Sequence, residues 1–361
     1  SGYYGSGNIG DEAILEALVG AMQKARPGVE IVVPSAAPEQ TAARYAVRAI
    51  PRFSPRALSA EIRGADLLIS GGGGLLQDVT SARSALYYLG VIRLAQRFRV
   101  PTAMLAQGMG PLRRPWLRRL VGAVVRKMDY LSVRDTASAR ELEALGVKAK
   151  PIQLGGDAAW LLAPAPPKRV EELTRSEGLT QAPQPRVGVF LRPPVDAKLA
   201  TALWRETAAG LDAFLSQQGG RAVFVAMQRP GDAEAAARVA AGMKAETHIV
   251  EGDYTPAELL GLTGTFDLVV GMRLHGLIFA AISAAPAVGL AYDPKVAAFL
   301  LAAGLPEAFD IQAPNGAALA ETLGDLWRRR EATTARLRET GAEHRRLAEK
   351  ALAGALGLLG E

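Results

Sequence analysis

Residues 267–295, DLVVGMRLHGLIFAAISAAPAVGLAYDPK, leave few folds open. An apolar, β-branched run at 267–270 ends in Gly271, the pattern of a buried strand running into a turn. Residues 274–285 read as a helix and 287–291 as a second strand, with Pro294 placed to open a further helix. Strand, helix and strand in so short a span make a parallel crossover unit. Met272, Arg273, Leu274, His275 and Gly276 fill the turn between the first strand and its helix. A guanidinium and an imidazole therefore stand at the carboxyl edge of a parallel strand and at a helix N-terminus. Open α/β sheets bind ligands at that edge, and helix N-termini attract anions. Lys295 follows the next strand and can approach the same crevice. A lone histidine after a strand is commonly only a structural hydrogen-bonder. This chain has just three, however, and His248 and His344 sit in unremarkable surroundings. The convergence of Arg273, His275 and Lys295 favours a functional reading.

At 361 residues the chain exceeds one ordinary core, so two domains are expected. A hydrophobic content of 49% with 22% charged residues describes a soluble globular protein. Cysteine is absent, which excludes disulfides, thiolate metal sites and thiol nucleophiles. Three scattered histidines without HxH or HxxxH spacing argue against a metal site, and no metal is expected. The net charge of +6 suggests anionic partners. No nucleic-acid motif accompanies it, so nucleic acid is not among them. The longest uncharged run, 277–292, is broken by Pro286 and is no membrane span. No signal peptide is visible, and a cytoplasmic location is expected. A glycine loop as early as Gly2 should follow a strand, so the native N-terminus is expected upstream of Ser1.

That loop, GYYGSGNIGDE, leads into a helix carrying Ile14, Leu15, Leu18 and Met22 on one face. Gly5, Gly7 and Gly10 match the GxGxxG dinucleotide pattern. The strand that follows, 30–33, ends in Pro34 and Ser35 and has no acidic residue where a ribose would need one, which speaks against a nicotinamide cofactor. Close backbone approach to another ligand is the better reading, through Gly7, Asn8 and Gly10. Asp11 is either a helix N-terminal carboxylate or a group that binds the acceptor or serves as base. A strand at 65–70 empties into Gly71, Gly72, Gly73 and Gly74, then into the polar residues Gln77, Asp78, Thr80 and Ser81. Four glycines cost conformational entropy, so they signal close approach to a ligand or a neighbouring loop. Strands at 102–107 and 130–133 end in Gly108 and in Arg134 with Asp135. Between them, residues 113–127 form a basic amphipathic stretch, either a packing helix with a solvated face or a contact for an anionic membrane surface.

Proline-rich punctuation at 163–167 and 180–185 marks an interdomain connection. The expected organisation is an N-terminal Rossmann-like domain over 1–165, a linker over 166–185, a second Rossmann-like domain over 186–316 and a helical tail over 317–361. The fold class is therefore α/β, with two doubly wound Rossmann-like domains facing across a cleft in the GT-B-like manner.

The motifs GSGNIGDE at 5–12, SGGGGLLQD at 70–78, QGMGP at 107–111, SVRD at 132–135, GMRLH at 271–275 and YDPK at 292–295 together resemble the polysaccharide pyruvyl transferase family, CsaB-type bacterial members in particular. No single motif is specific, but the set spans nearly the whole chain. The resemblance implies phosphoenolpyruvate as donor and no required metal or cofactor. It implies a lipid-linked, N-acetylmannosamine-containing acceptor, the precursor of a secondary cell wall polymer that anchors surface-layer proteins. Position by position it places Arg134, Arg273, His275 and Lys295 around phosphoenolpyruvate, with Leu274 among them; His275 is the expected acid–base catalyst, and Asp11, on the reading of the residues themselves, joins it as base or acceptor-orienting group. Gly7, Asn8, Gly10, Gly72, Gly73, Gln77 and Asp78 fall to the acceptor or its loops. Peripheral contact with the inner face of the cell membrane is part of this expectation. The rival reading is a GT-B glycosyltransferase using a nucleotide sugar.

Overall fold

The computed structural model describes every residue except 80, 181–182, 195, 307–308 and 361. Thr80 of the polar rim and residues 181–182 of the proline-rich connection thus lie outside the described residues. The chain divides into two units: Ser1–Leu162 with Glu343–Glu361, and Ala163–Ala342.

In unit 1 the elements are α1 (Ile9–Ala25), β1 (Val32–Ser35), α2 (Pro38–Tyr45), β2 (Arg48–Pro51), α3 (Pro55–Arg63), β3 (Leu68–Gly71), α4 (Ala82–Arg97), β4 (Thr102–Gln107), α5 (Pro115–Val125), β5 (Tyr130–Val133), α6 (Thr136–Ala144) and β6 (Gln153–Leu154). Strands β3, β4, β5 and β6 form a parallel sheet in that order, and β1 pairs β2 in parallel. Residues 1–4 join the two sets. The Ser1 amine donates to the Ile69 carbonyl at 2.6 Å and Gly71 N–H to the Ser1 carbonyl, while Ala36 N–H donates to the Tyr4 carbonyl. With that strip counted as the first strand, the order is 3-2-1-4-5-6-7, the 3-2-1-4-5-6 of a Rossmann sheet with one strand added at its edge. The strip occupies the place where the sequence calls for a strand ahead of Gly2. The core is apolar on both sheet faces, with Met104, Leu89, Ile92, Leu117 and Val121 among its buried members.

Unit 2 opens with α7 (Pro167–Ser176) and continues β7 (Arg186–Phe190), α8 (Ala197–Gln218), β8 (Arg221–Phe224), α9 (Gly231–Ala241), β9 (Glu246–Ile249), α10 (Pro256–Thr263), β10 (Leu268–Gly271), α11 (Leu274–Ile282), β11 (Ala287–Ala291), α12 (Pro294–Ala302), β12 (Phe309–Asp310) and α13 (Gly316–Arg328). Its six strands are all parallel, ordered β12-β11-β10-β7-β8-β9, again the Rossmann order. A further helix, α14 (Arg330–Leu356), starts in unit 2 and ends in unit 1. The segment 317–361 is thus shared between the units, and 166–185 contains a helix packed on α10.

Local chemistry explains most boundaries. Pro294 opens α12, and the Asp293 carboxylate caps it by accepting from Lys295 N–H at 3.0 Å. Thr255 and Glu258 cap α10 reciprocally. Helix α11 is buried nearly all round, as an apolar helix inside an α/β layer must be. It stops at Ile282, short of the expected 285, because Ala284 turns left-handed (φ 55°) and residue 285 precedes a proline. Strand β3 starts at Leu68 instead of 65, since Ala65 N–H still closes α3 by donating to the Ile62 carbonyl.

Candidate active site

The strand order of unit 2 reverses between β7 and β10, and ligands of such sheets bind outside the carboxyl ends at that switch point. Three cations rise there from three adjacent strand ends. Arg192 follows β7, Arg273 follows β10 and Lys295 follows β11. The β10 turn is fixed to β7: Met272 and Arg273 N–H both reach the Phe190 carbonyl, at 2.8 and 3.3 Å. Gly276 is required for that approach, since a Cβ there would lie 2.7 Å from the Phe190 ring.

Arg273 is oriented by an acid that the sequence did not advertise. Its Nε donates to Asp232 Oδ2 at 2.9 Å and its Nη2 to Asp232 Oδ1 at 2.6 Å, a two-pronged pair. Gln228 Oε1 accepts a further bond at 3.3 Å. Asp232 is itself buried and also accepts from the backbone of Met227 and Gln228. The fork therefore holds Arg273 in one pose, with Nη1 outside the two bonds to Asp232. Leu274 is buried and His275, the second residue of α11, is half-buried at the helix start. The Lys295 ammonium is 3.3 Å from Asp293 and 5.5 Å from the Tyr292 ring centre, and Arg192 covers the same ring at 4.3 Å. Arg192, Gln228 and Asp232 are the contributors that sequence reasoning missed. The signals available were an arginine directly after a buried strand and an acid in the first turn of α9.

The carboxyl edge of unit 1 is built differently. Asn8 caps α1 through Gly10 N–H at 3.0 Å, Gly7 turns left-handed (φ 68°), and Glu12, wholly inside, accepts from Gly5 N–H at 2.7 Å and Tyr45 at 2.9 Å. Glu12 was also missed; it holds the glycine loop while Asp11 faces the other side. Gly72 and Gly73 are both left-handed, and a Cβ on Gly73 would stand 2.9 Å from Asp11 Oδ1. The Gly73 carbonyl accepts from Gly108 N–H at 2.9 Å, and the Arg134 Nη2 would lie 2.9 Å from a Cβ on Gly108. Asp11 and Arg134 thus close on one glycine-lined spot from opposite sides. Arg134 pairs with Asp135 at 3.2 Å and Asp157 at 3.6 Å. Burial alone would raise the Asp135 carboxyl, but Arg134 and the bonds from Ser138 hold it below the usual range. Gln77 braces its own loop, whereas Asp78 ties that loop to the segment before α5. Gln77 Oε1 accepts from Val79 N–H, and the buried Asp78 carboxylate accepts from Arg113 and Arg114 N–H at 2.8 and 2.9 Å.

Of the residues expected around one donor, Arg273, Leu274, His275 and Lys295 share the edge of unit 2, while Arg134 belongs to unit 1. Among the described residues no cluster of three or more metal-ligating side chains occurs, and no helix is long and apolar enough to cross a membrane.

A family model described as polysaccharide pyruvyl transferase matches residues 8–294. Solved structures similar to this chain include a UDP-GlcNAc 2-epimerase from Methanocaldococcus jannaschii, with TM-score 0.61, 13% identity and 87% of this chain covered against 89% of that one. A glycosyltransferase from Rickettsia africae gives 0.61 at 11% identity over 98% and 96%. Anabaena HepE in complex with UDP-glucose gives 0.59 at 14% over 96% and 95%. At such identities the likeness is one of fold, two Rossmann-like domains of the GT-B kind.

Proposed function

The chain belongs to the polysaccharide pyruvyl transferase family, and we propose that it transfers the enolpyruvyl group of phosphoenolpyruvate to a lipid-linked, N-acetylmannosamine-containing acceptor, forming a 4,6-linked pyruvyl ketal and releasing phosphate. The observation that carries the donor assignment is the set of three cations on adjacent strand ends, beside His275 at a helix N-terminus. Phosphoenolpyruvate bears a phosphate and a carboxylate, so its site needs fixed positive charge. Arg273, pre-oriented by Asp232, suits a planar carboxylate or phosphate edge; Arg192 and Lys295 add charge.

Ketal formation needs a proton on the methylene carbon, attack of one sugar hydroxyl at the adjacent carbon and loss of phosphate. The second hydroxyl then closes the ring. Two hydroxyl protons are released overall; one is balanced by the new methyl group and the other leaves with phosphate. His275 is our general acid and base for these transfers. Asp11 is our group for orienting or deprotonating the acceptor, with the backbone of Gly73 beside it; Arg134, which the resemblance assigns to phosphoenolpyruvate, stands on the same edge of unit 1.

The deciding experiment is phosphate release from phosphoenolpyruvate with a synthetic lipid-pyrophosphate disaccharide ending in N-acetylmannosamine, followed by mass spectrometry. Acceptor-dependent release and a product bearing the pyruvyl ketal are expected. Thermal protection by a uridine diphosphate sugar, with none by phosphoenolpyruvate, would replace this reading with the glycosyltransferase one that the UDP-bound structures favour.

We also propose membrane contact through α5. Residues 112–128 contain no acid, Trp116 is 49% exposed, and Arg113, Arg114, Arg119, Arg126 and Lys127 are all exposed around it. The protein should sediment with anionic vesicles at low salt and be released at high salt; failure to bind at low salt removes the proposal.

A further inference from the structure

Exposed aromatic residues cluster at one place in unit 1, where β2 ends beside the glycine loop. The Arg52 guanidinium contacts two rings, 5.1 Å from the centre of Tyr3 and 4.7 Å from that of Phe53. Phe53 meets Tyr87 edge-on at 5.3 Å, and Tyr87 meets Tyr88 at 5.0 Å. The Tyr87 hydroxyl donates to the Arg52 carbonyl at 2.8 Å, which fixes the turn that presents both residues. Phe53 is 69% exposed and so contributes little to the core. A phenylalanine left in water yet braced on both sides calls for a reason other than stability.

Arg52 is equally unusual. A guanidinium carries five donors. Here Nη1 makes a long bond of 3.3 Å to Ser6 Oγ, and Nε is sealed from water without a hydrogen-bond partner among the described residues. The group is steered by two rings, and its Nη atoms keep donor capacity for a ligand. Ser6 belongs to the loop that leads to Asp11, and Arg52 and Asp11 both act on the Tyr88 phenol, which burial pushes up first of all. The aromatic shelf and Asp11 are therefore neighbours on one sheet edge.

We infer that Tyr3, Arg52 and Phe53 form a saccharide subsite, which holds the sugar adjoining the one that reacts near Asp11. The inference rests on the proposed transfer to a saccharide acceptor. A pyranose presents C–H bonds on one face and hydroxyls around its rim. The negative face of an exposed ring takes the first, and the guanidinium donates to the second. Two rings in contact with one arginine match a sugar's alternation of apolar face and oxygen edge, and they add specificity for an extended acceptor over a single sugar.

The test is isothermal titration of the full chain with a disaccharide ending in N-acetylmannosamine, alongside phosphoenolpyruvate titration as a control. Phe53→Ala should weaken disaccharide binding at least tenfold and leave donor affinity and melting temperature unchanged, since the ring is exposed. Phe53→Tyr should restore binding, which a merely structural role would not require. Unchanged disaccharide affinity in Phe53→Ala, or no disaccharide binding by the wild-type chain, overturns the subsite. Disaccharide binding that depends on Phe53, without acceptor-dependent phosphate release, upholds the subsite and instead refutes the proposed transfer.

Discussion

The two Rossmann-like units share a strand order but arm their carboxyl edges with opposite chemistry. Unit 2 brings Arg192, Arg273, His275 and Lys295 to its switch point, and its buried acid, Asp232, serves to aim one of them. Unit 1 surrounds left-handed glycines with Asp11, Glu12, Asp135 and Asp157, and sets Arg134 among them. A cationic edge suits a small, highly charged donor. A glycine-lined edge with a carboxylate and a neighbouring aromatic shelf suits the uncharged sugars of a larger acceptor, with hydroxyls to orient. One strand order can thus carry two kinds of chemistry because function sits in the loops, not in the sheet.

The largest effect that would break this comparison belongs to His275. If it moves protons for the reaction, His275→Ala should lower turnover by roughly 10²-fold or more while donor binding persists. Phosphate-release kinetics together with donor titration decide it; near-normal turnover would strip unit 2 of its proposed catalyst. A smaller effect is expected from Asp232→Asn, which removes charge from the fork and one acceptor from its bonding. Arg273 would lose its fixed pose, so donor KM should rise about tenfold, the usual scale for a lost charge-assisted bond. An unchanged donor KM would mean that Arg273 acts only as a structural ion pair. Asp11→Asn sharpens the contrast from the other side. It should raise acceptor KM or lower turnover with donor affinity intact, and a loss of donor affinity would merge the two roles that we keep apart.

These contrasts were legible to different degrees. The GMRLH turn announced itself because a buried β-branched strand, a glycine and an apolar helix are local signals that survive without tertiary context. The stretch 38–63 gave no such signal, yet it forms α2, β2 and α3. Strand β2 has only four residues, ends in Pro51 and is half-exposed, so its pairing with β1 is set by packing, not by pattern. Arg52 and Phe53 follow it, which is why the aromatic shelf stayed hidden. The shelf gathers Tyr3, Phe53 and Tyr87 from three separate segments, so no local pattern marks it. Asp232 was invisible for the same reason: it stands 41 residues from Arg273 in the chain.

The smallest predicted effect tests the units as folding partners. His344, midway along α14 and just inside the part that belongs to unit 1, stacks flat on Trp160 at 5.0 Å. Burial lowers its imidazole below the ordinary 6.5, and Glu343 only partly opposes that. The unfolded chain therefore binds this proton more readily than the folded one. Its contribution to stability is complete above pH 6.5 and is lost as the pH falls below that value toward the lowered folded one. In unit 2, Glu177 behaves as a carboxylate. Burial would raise it, but bonds from Tyr254, His248 and the backbone of Gly252 and Glu251 hold it below the ordinary 4.5. Its stability is present above pH 4.5 and is lost only as the pH falls further. Acidification should therefore loosen unit 1 first. Hydrogen exchange between pH 7.5 and 5.5 should show faster exchange around Trp160 before any change around Tyr254. The effect should be smaller than those above because the ring is half-exposed and solvent screens it. His344→Gln should flatten that response in unit 1 without touching unit 2, and an unaltered pH response in the variant would remove His344 as its source.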